Sequence, residues 1–178
     1  MSIDPIRITV FNPGPASIST ATSREQIYTA LFEMLQTVVF PTPIMGKTTW
    51  SGYCRKYIDP AQISVDMNPF MAQYEGGTEI YEQHGERLWP HRTLIVYLYC
   101  WTRVDSGDAQ ELGTQYLTSM LEGIENTLGP ESQDYGANDK TTLGGLVQWC
   151  RIQGNILKFP GDYDNQAMLR VPVRILWP

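Results

Sequence analysis

Cysteine is scarce in this chain, and long hydrophobic runs are absent. The 178 residues include three cysteines, Cys54, Cys100 and Cys150, which are widely separated and odd in number. Because each has apolar or aromatic neighbours, we predict small buried side chains in a reducing compartment, with no disulfide or metal role. The longest apolar stretch, residues 94–101, is far shorter than the roughly 20 residues of a membrane-spanning helix. We therefore expect a soluble protein without a signal peptide, made where it is used.

Basic residues are also in deficit. Thirteen Lys and Arg residues face nineteen Asp and Glu residues, which gives a net charge of -6, and the basic residues form no cluster along the sequence. A protein that holds nucleic acid by neutralising phosphates is expected to be basic, at least locally. The composition therefore disfavours tight DNA binding, although it allows DNA to slide past an acidic surface without sticking.

The residue types needed for catalysis form no recognisable motif. Two histidines, His84 and His91, lack the Cys or carboxylate ligands at short spacing that zinc sites use. The glycine pairs match neither a dinucleotide-binding nor a phosphate-binding loop, and no nucleophile elbow occurs. Asp162 and Asp164 resemble part of a calcium loop, but its glycine and its distal Glu are missing, so a turn is the better interpretation. We predict no catalytic, cofactor-binding or metal site.

Residues 1–22 differ in composition from the rest and predict an extended N-terminal arm. A short β-like segment precedes a Pro-Gly-Pro unit, which breaks regular structure, and a tract rich in Ser, Thr and Ala follows. The apolar side chains of the β-like segment are Ile6, Ile8, Val10 and Phe11. We expect such an arm to reach a neighbouring subunit, where the segment can add a strand to an exposed sheet edge.

Residues 23–178 are predicted to form one domain with two amphipathic helices. Ser23 and Gln26 make a capping box at the start of the first helix, and two prolines end it. Its apolar stripe has the spacing of one helix face and comprises Ile27, Ala30, Leu31, Met34, Leu35 and Val38. The second helix is predicted over residues 108–128, where a Gly-Pro pair closes it.

Segments rich in β-branched and aromatic residues predict the sheet. Residues 48–58 and 69–75 are each expected to form a strand. Residues 92–101 are apolar on both faces, as expected of a central strand that is covered above and below.

The most strongly patterned part of the chain is its last third. Residues 146–157 and 167–177 both alternate in side-chain character, which predicts an antiparallel strand pair joined by a polar loop at residues 160–166. The order of elements predicts an α+β fold: an antiparallel or mixed β-sheet with two amphipathic helices packed on one face, plus the extended N-terminal arm.

Apolar and aromatic side chains supply candidate contact residues. The flank of the first helix and the aromatic residues of the β segments are consistent both with packing inside one subunit and with contact between subunits. Those that stay exposed would be natural anchors, because Trp and Tyr carry a large share of binding energy. The candidate interface residues are Ile6, Ile8, Val10, Phe11, Tyr28, Phe32, Trp50, Tyr53 and Trp89.

In order and spacing, five segments resemble the tail-terminator (tail-completion) proteins of tailed bacteriophages. These segments are residues 24–35, 93–99, 117–130, 142–154 and 171–176. They share a pattern of apolar and glycine positions with that family. The resemblance implies a small α/β subunit that assembles, usually as a hexameric ring, on a finished tail tube. The ring halts polymerisation of the tube and provides the surface that joins tail to head.

The resemblance also implies a set of partners and a location. The partners are further copies of the chain, the tail tube protein and the head-tail connector or neck proteins, with genomic DNA passing through the lumen without specific binding. The protein would be synthesised in the host bacterial cytoplasm and reside in the tail or neck of the virion. The resemblance implies neither a catalytic residue nor a cofactor.

Three other interpretations stay open. A head-to-tail connector or neck adaptor would differ in contacting portal-side proteins instead of the tail tube. A small phage-encoded enzyme would use the charged residues 75–87, chiefly Glu75, Glu79, Glu82, His84 and Glu86. A monomeric binding module would be recognised by its mass in solution.

Overall fold

The computed structural model describes residues 22–76, 78–82, 91–104, 109–129, 142–163 and 165–177. These residues form two α-helices, seven strands and two short 3-10 helices at Pro60–Gln62 and Val65–Met67. The helices and strands, in chain order, are α1 (Arg24–Gln36), β1 (Gly52–Cys54), β2 (Phe70–Tyr74), β3 (Glu79–Glu82), β4 (His91–Arg103), α2 (Ala109–Leu128), β5 (Trp149–Ile152), β6 (Leu157–Tyr163) and β7 (Gln166–Trp177). Except for Thr22, the predicted arm lies outside the described residues.

The strands make one mixed sheet in the order β1-β2-β4-β7-β5. β1 runs parallel to β2, and the other pairings are antiparallel. β3 continues the line of β2 along β4, and β6 continues the line of β5 along β7. The architecture is therefore a long central pair, β4 and β7, flanked on each side by one interrupted strand, and β4 is central as predicted.

α1 begins as its sequence predicts and ends earlier. The Ser23 hydroxyl accepts from the Gln26 backbone at 3.2 Å, and the Gln26 side chain accepts from the Ser23 backbone at 2.7 Å. This reciprocal cap is the predicted capping box. The helix ends at Gln36 instead of reaching Val38. The chain becomes extended because the Phe40 N–H bonds to the Thr48 carbonyl, which places Val38 and Phe40 in the core beside the helix.

Both helices pack on the same face of the sheet, as predicted. Every second residue of the central strands is buried beneath them, including Leu94 to Cys100 on β4 and Leu169 to Ile175 on β7. α1 contributes Ile27, Leu31 and Leu35 to this core, and α2 contributes Leu117, Met120, Ile124 and Leu128. The α+β fold is confirmed, and its main core lies between the helices and this sheet face.

The close seating of α2 on the sheet depends on a glycine. A Cβ atom built on Gly113 would lie 1.7 Å from the backbone oxygen of Pro160 in β6. Only a residue without a side chain allows helix and strand to approach so closely. Asp108, the predicted start of this helix, lies outside the described residues. Within the part of the chain described, no helix is long and apolar enough to cross a membrane.

Three predicted strand boundaries are wrong. The segment 48–58 is a strand only at Gly52–Cys54, because the chain then folds back through the two 3-10 helices. The segment 146–157 is interrupted between Ile152 and Leu157, where Gly154 adopts a φ of 130°. The predicted loop 160–166 is largely strand, because β6 extends to Tyr163, with a register shift against β7 between Phe159 and Tyr163.

Two of the three cysteines are buried as predicted. Cys100 and Cys150 are fully buried between helices and sheet, and burial raises the pKa of both thiols, that of Cys150 to about 12. Cys54 is only half-buried, and its thiol donates to the Lys56 carbonyl at 3.0 Å. The prediction of a buried side chain is therefore wrong for Cys54, because β1 is an edge strand.

Candidate functional site

The sheet face opposite the two helices is here called the open face. The register places alternate side chains of five strands on it. Its residues on these strands are Phe70, Ala72, Tyr74, Thr93, Ile95, Tyr97, Tyr99, Trp101, Arg103, Trp149, Arg151, Leu157, Phe159, Gln166, Met168, Arg170, Pro172, Arg174 and Leu176. The face combines aromatic and aliphatic groups with arginines, which is the composition of protein-protein contact surfaces.

One corner of the open face is covered by the chain itself. The segment that holds the 3-10 helices folds over β2 and β4, and Ile63 packs with Phe70, Ala72 and Trp101 in a small second core. This explains why Trp101 is 2% exposed although neither α-helix lies over it. The remainder of the face, towards β6 and β7, has no such cover in the described part of the chain.

A cluster of aromatic rings lines the margin of this covered corner. Tyr99 stacks on Trp101 at 5.8 Å between ring centroids, and Tyr57 and Tyr74 meet Tyr99 edge-on at 5.1 and 6.3 Å. Tyr57 is 50% exposed and Tyr74 37%. Rigid, partly exposed rings that are already positioned lose little entropy on binding, so they suit an interface anchor.

Four arginines give the open face a positive charge: Arg103, Arg151, Arg170 and Arg174. Arg151 on β5 lies directly opposite Arg174 on β7. Arg170 lies on the same face of β7, four residues before Arg174. Like charges at opposed positions of an antiparallel pair destabilise the sheet by about 0.2–1 kcal/mol. β4, β5 and β7 contain no Asp or Glu. The ion pairs found among the described residues involve Arg24 and Arg55 only.

Aromatic rings hold two of these guanidinium groups in place. Arg151 lies 4.3 Å from the Trp149 ring centroid and Arg170 lies 5.2 Å from that of Tyr97. Within the described ranges, the Arg170 Nε and the Trp101 Nε1 are buried without a hydrogen-bond partner. The face therefore holds fixed positive groups whose hydrogen-bonding capacity the described chain does not fully use.

The outer surface of α1 and α2, here called the helix layer, has the opposite charge. Its exposed acidic side chains include Glu33, Glu111, Glu122 and Glu125, and α2 contains no Lys or Arg. A groove of about 650 Å³ runs between the helices. It is lined by Met34, Thr37, Val39, Pro41, Gly123, Asn126 and Thr127. Val39 in this groove is 60% exposed.

Two arginine networks join α1 to the sheet. The Arg24 guanidinium donates to both oxygens of Glu79 at 2.6 and 2.7 Å, and this pairing lowers the pKa of the Glu79 carboxyl. Arg55 binds Glu25 and Glu75 together, and its hydrogen bonds lower the pKa of Glu25. Glu79 is thereby held ionised, which does not suit a general acid near neutral pH. Of the other residues suggested for an enzyme, His84 and Glu86 lie outside the described residues.

The structure divides the predicted contact residues into core and surface. Tyr28 and Trp50 are 9% and 7% exposed, and the Trp50 indole donates to the Leu35 carbonyl at 3.0 Å, so neither offers a contact surface. Phe32 and Tyr53 meet edge-on at 5.7 Å, and Tyr53 is 48% exposed. The remaining candidates lie outside the described residues: Ile6, Ile8, Val10, Phe11 and Trp89.

The arginines of the open face were missed by the sequence prediction. The alternation of β7 does indicate that Arg170 and Arg174 share one side of that strand. The position of Arg174 opposite Arg151 depends on the register between β5 and β7, which the alternation of side chains along one strand does not give.

Among the described residues, no group of three or more His, Cys, Asp or Glu side chains is arranged to hold a metal ion. The site identified here is thus a surface and not a pocket with converging reactive groups. No known protein family and no curated protein matches this sequence.

Proposed function

We propose that this chain is a structural protein of a tailed-bacteriophage virion. In this proposal it forms a homo-oligomeric ring, taken as a hexamer, that caps the tail tube, ends its polymerisation and provides the surface for joining tail to head. The observation that carries the proposal is the open face, on which Arg151, Arg174 and partly exposed aromatic side chains lie without a covering layer from the described residues. An assembly subunit needs such surfaces, because it acts by contact.

The architecture supports this role mechanically. Two helices stiffen one side of a seven-stranded sheet. Two arginine networks tie α1 to β3 and to the ends of β1 and β2. A subunit built in this way keeps its two faces at a fixed angle. Closed rings form from head-to-tail contacts whose rotation returns to the start, which requires that rigidity.

The charge of the chain suits a ring through which DNA passes. With a net charge of -6, the ring repels phosphate overall, so genomic DNA can cross the lumen without being held. If the ring lumen proved to be lined mainly by Lys and Arg, this part of the proposal would be abandoned.

Deletion of the gene in the parent phage tests the function directly. A terminator deletion should give overlong or headless tails in electron micrographs, and the wild-type chain supplied from a plasmid should restore normal tail length. DNA-filled heads that leak their genome would instead assign the chain to the head-tail connector. Normal particles that lack the chain would refute both roles.

A further inference from the structure

The open face carries an unbalanced charge that folding alone does not explain. Arg151 and Arg174 are opposed across β5 and β7, and neither forms an ion pair among the described residues. A carboxylate placed over them would contact two guanidinium groups at once and remove their repulsion. An anion on a partner that covers the face would balance this charge.

The same chain presents carboxylates on its opposite side. Glu122 and Glu125 are exposed on α2, and they flank Gly123 in the groove between the helices. The groove is partly apolar, with Val39 60% exposed, so it complements a surface that combines rings with arginines.

We propose that the open face of one copy docks on the helix layer of the next copy. The inference rests on the proposed ring and specifies its contact: Arg151 and Arg174 of one subunit meet Glu122 and Glu125 of its neighbour, and the partly exposed open-face rings lie against the interhelical groove. The contact is head-to-tail, because two open faces packed together would oppose arginine to arginine.

A second copy explains the face better than nucleic acid does. Nucleic-acid surfaces use extended tracks of Lys and Arg, whereas the strands of this face carry a few arginines in a chain of net charge -6. Every copy of the chain carries both the open face and the acidic helix layer, so the complementary surface is available wherever the protein is.

Two charge-reversed variants test the contact. The first carries Arg151→Glu and Arg174→Glu, and the second carries Glu122→Arg and Glu125→Arg. Each alone should lose self-association by about a hundredfold, because like charges then meet at the contact. An equimolar mixture should recover assembly, since each mutated surface finds its complement on the other variant. Native mass spectrometry should then show equal numbers of both.

The matched control is Lys158→Glu. Lys158 is an exposed residue of β6, and its register partner is Leu169, so it lies neither on the open face nor on α1 or α2. The substitution changes charge by the same amount as one arginine reversal, and assembly should be unaffected. Circular dichroism and the melting temperature of every variant should establish that all of them fold.

Carbodiimide cross-linking of Arg151→Lys detects the contact even where association is transient. Cross-links to Glu122 or Glu125 of another copy are expected, both in solution and in phage particles complemented with this variant. Cross-links confined to other carboxylates would overturn the inference. A ring that still forms when Arg151 and Arg174 are both reversed would also overturn it. Loss of DNA retention by that variant, with the ring intact, would overturn it too. A chain that associates nowhere would refute the proposed function as well.

Discussion

Replacement of Gly113 by alanine should destabilise the domain, although alanine is the better helix former. A new Cβ would lie 1.7 Å from the Pro160 oxygen, whereas a relaxed carbon-oxygen contact needs about 3.3 Å. The helix must therefore withdraw from β6 by about 1.6 Å, since the obstacle is backbone and has no alternative rotamer. A gap of that size removes most of the dispersion contact around the neighbouring Leu117.

The two effects of Gly113→Ala have opposite signs and different sizes. The intrinsic helix preference gains about 1 kcal/mol, while overpacking against a fixed backbone costs about 3 kcal/mol, the upper part of its usual range. The net loss is about 2 kcal/mol, which lowers the melting temperature by about 4–8 °C in a domain of this size. Urea unfolding followed by circular dichroism should show a lower midpoint with an unchanged slope.

The control for Gly113→Ala is Gln115→Ala, an exposed position two residues further along α2. It changes helix preference without touching the sheet, and its effect should stay within about 0.5 kcal/mol. A Gly113→Ala protein as stable as the wild type would show that α2 does not sit on β6 as closely as described.

Three further predictions concern acid, thiols and the Trp50 hydrogen bond. Since the pKa of Glu79 is held below its ordinary value of 4.5, its ion pair contributes stability above that pH and loses it as the pH falls through the lowered pKa. The melting temperatures of wild type and Glu79→Gln should therefore approach each other as the pH is lowered from about 7. A thiol reagent such as DTNB should modify Cys54 in the native protein and the buried Cys100 and Cys150 only after unfolding. Trp50→Phe removes the indole donor, but the Leu35 carbonyl keeps the Val38 N–H as a second donor, so the loss should be only about 0.5–1.5 kcal/mol in urea unfolding.

Features with a local cause could be predicted from the sequence. The capping box at Ser23 depends on side chains three residues apart, and the apolar spacing of α1 depends on one helix face. The central place of β4 in the sheet follows from its apolar character on both sides, which is typical of an inner strand. Each of these needs no knowledge of a distant partner.

Features set by distant partners could not be predicted in this way. Pro160 and Gly161 are typical turn residues, yet they lie inside β6, at an irregularity of its pairing with β7 that the pairs at Phe159 and Tyr163 enclose. Trp50 looks like a surface anchor in the sequence, but its indole finds the carbonyl of Leu35, fifteen residues away. The opposition of Arg151 and Arg174 likewise appears only once the register is known. Tertiary pairing overrides local preference in all three cases.

The twist of the sheet determines whether the proposed head-to-tail contact closes. The open face and the helix layer lie on opposite sides of one sheet, and in a flat sheet they would be parallel, so that copies would stack into a straight fibre. Neighbouring strands typically rotate by about 20–25°, so the three steps from β2 through β4 and β7 to β5 accumulate about 60–75°. A six-membered ring needs about 60° between successive copies. Contact between the open face near β5 and the helix layer over the opposite margin should therefore give closed rings in negative-stain images, and unlimited filaments would contradict this geometry.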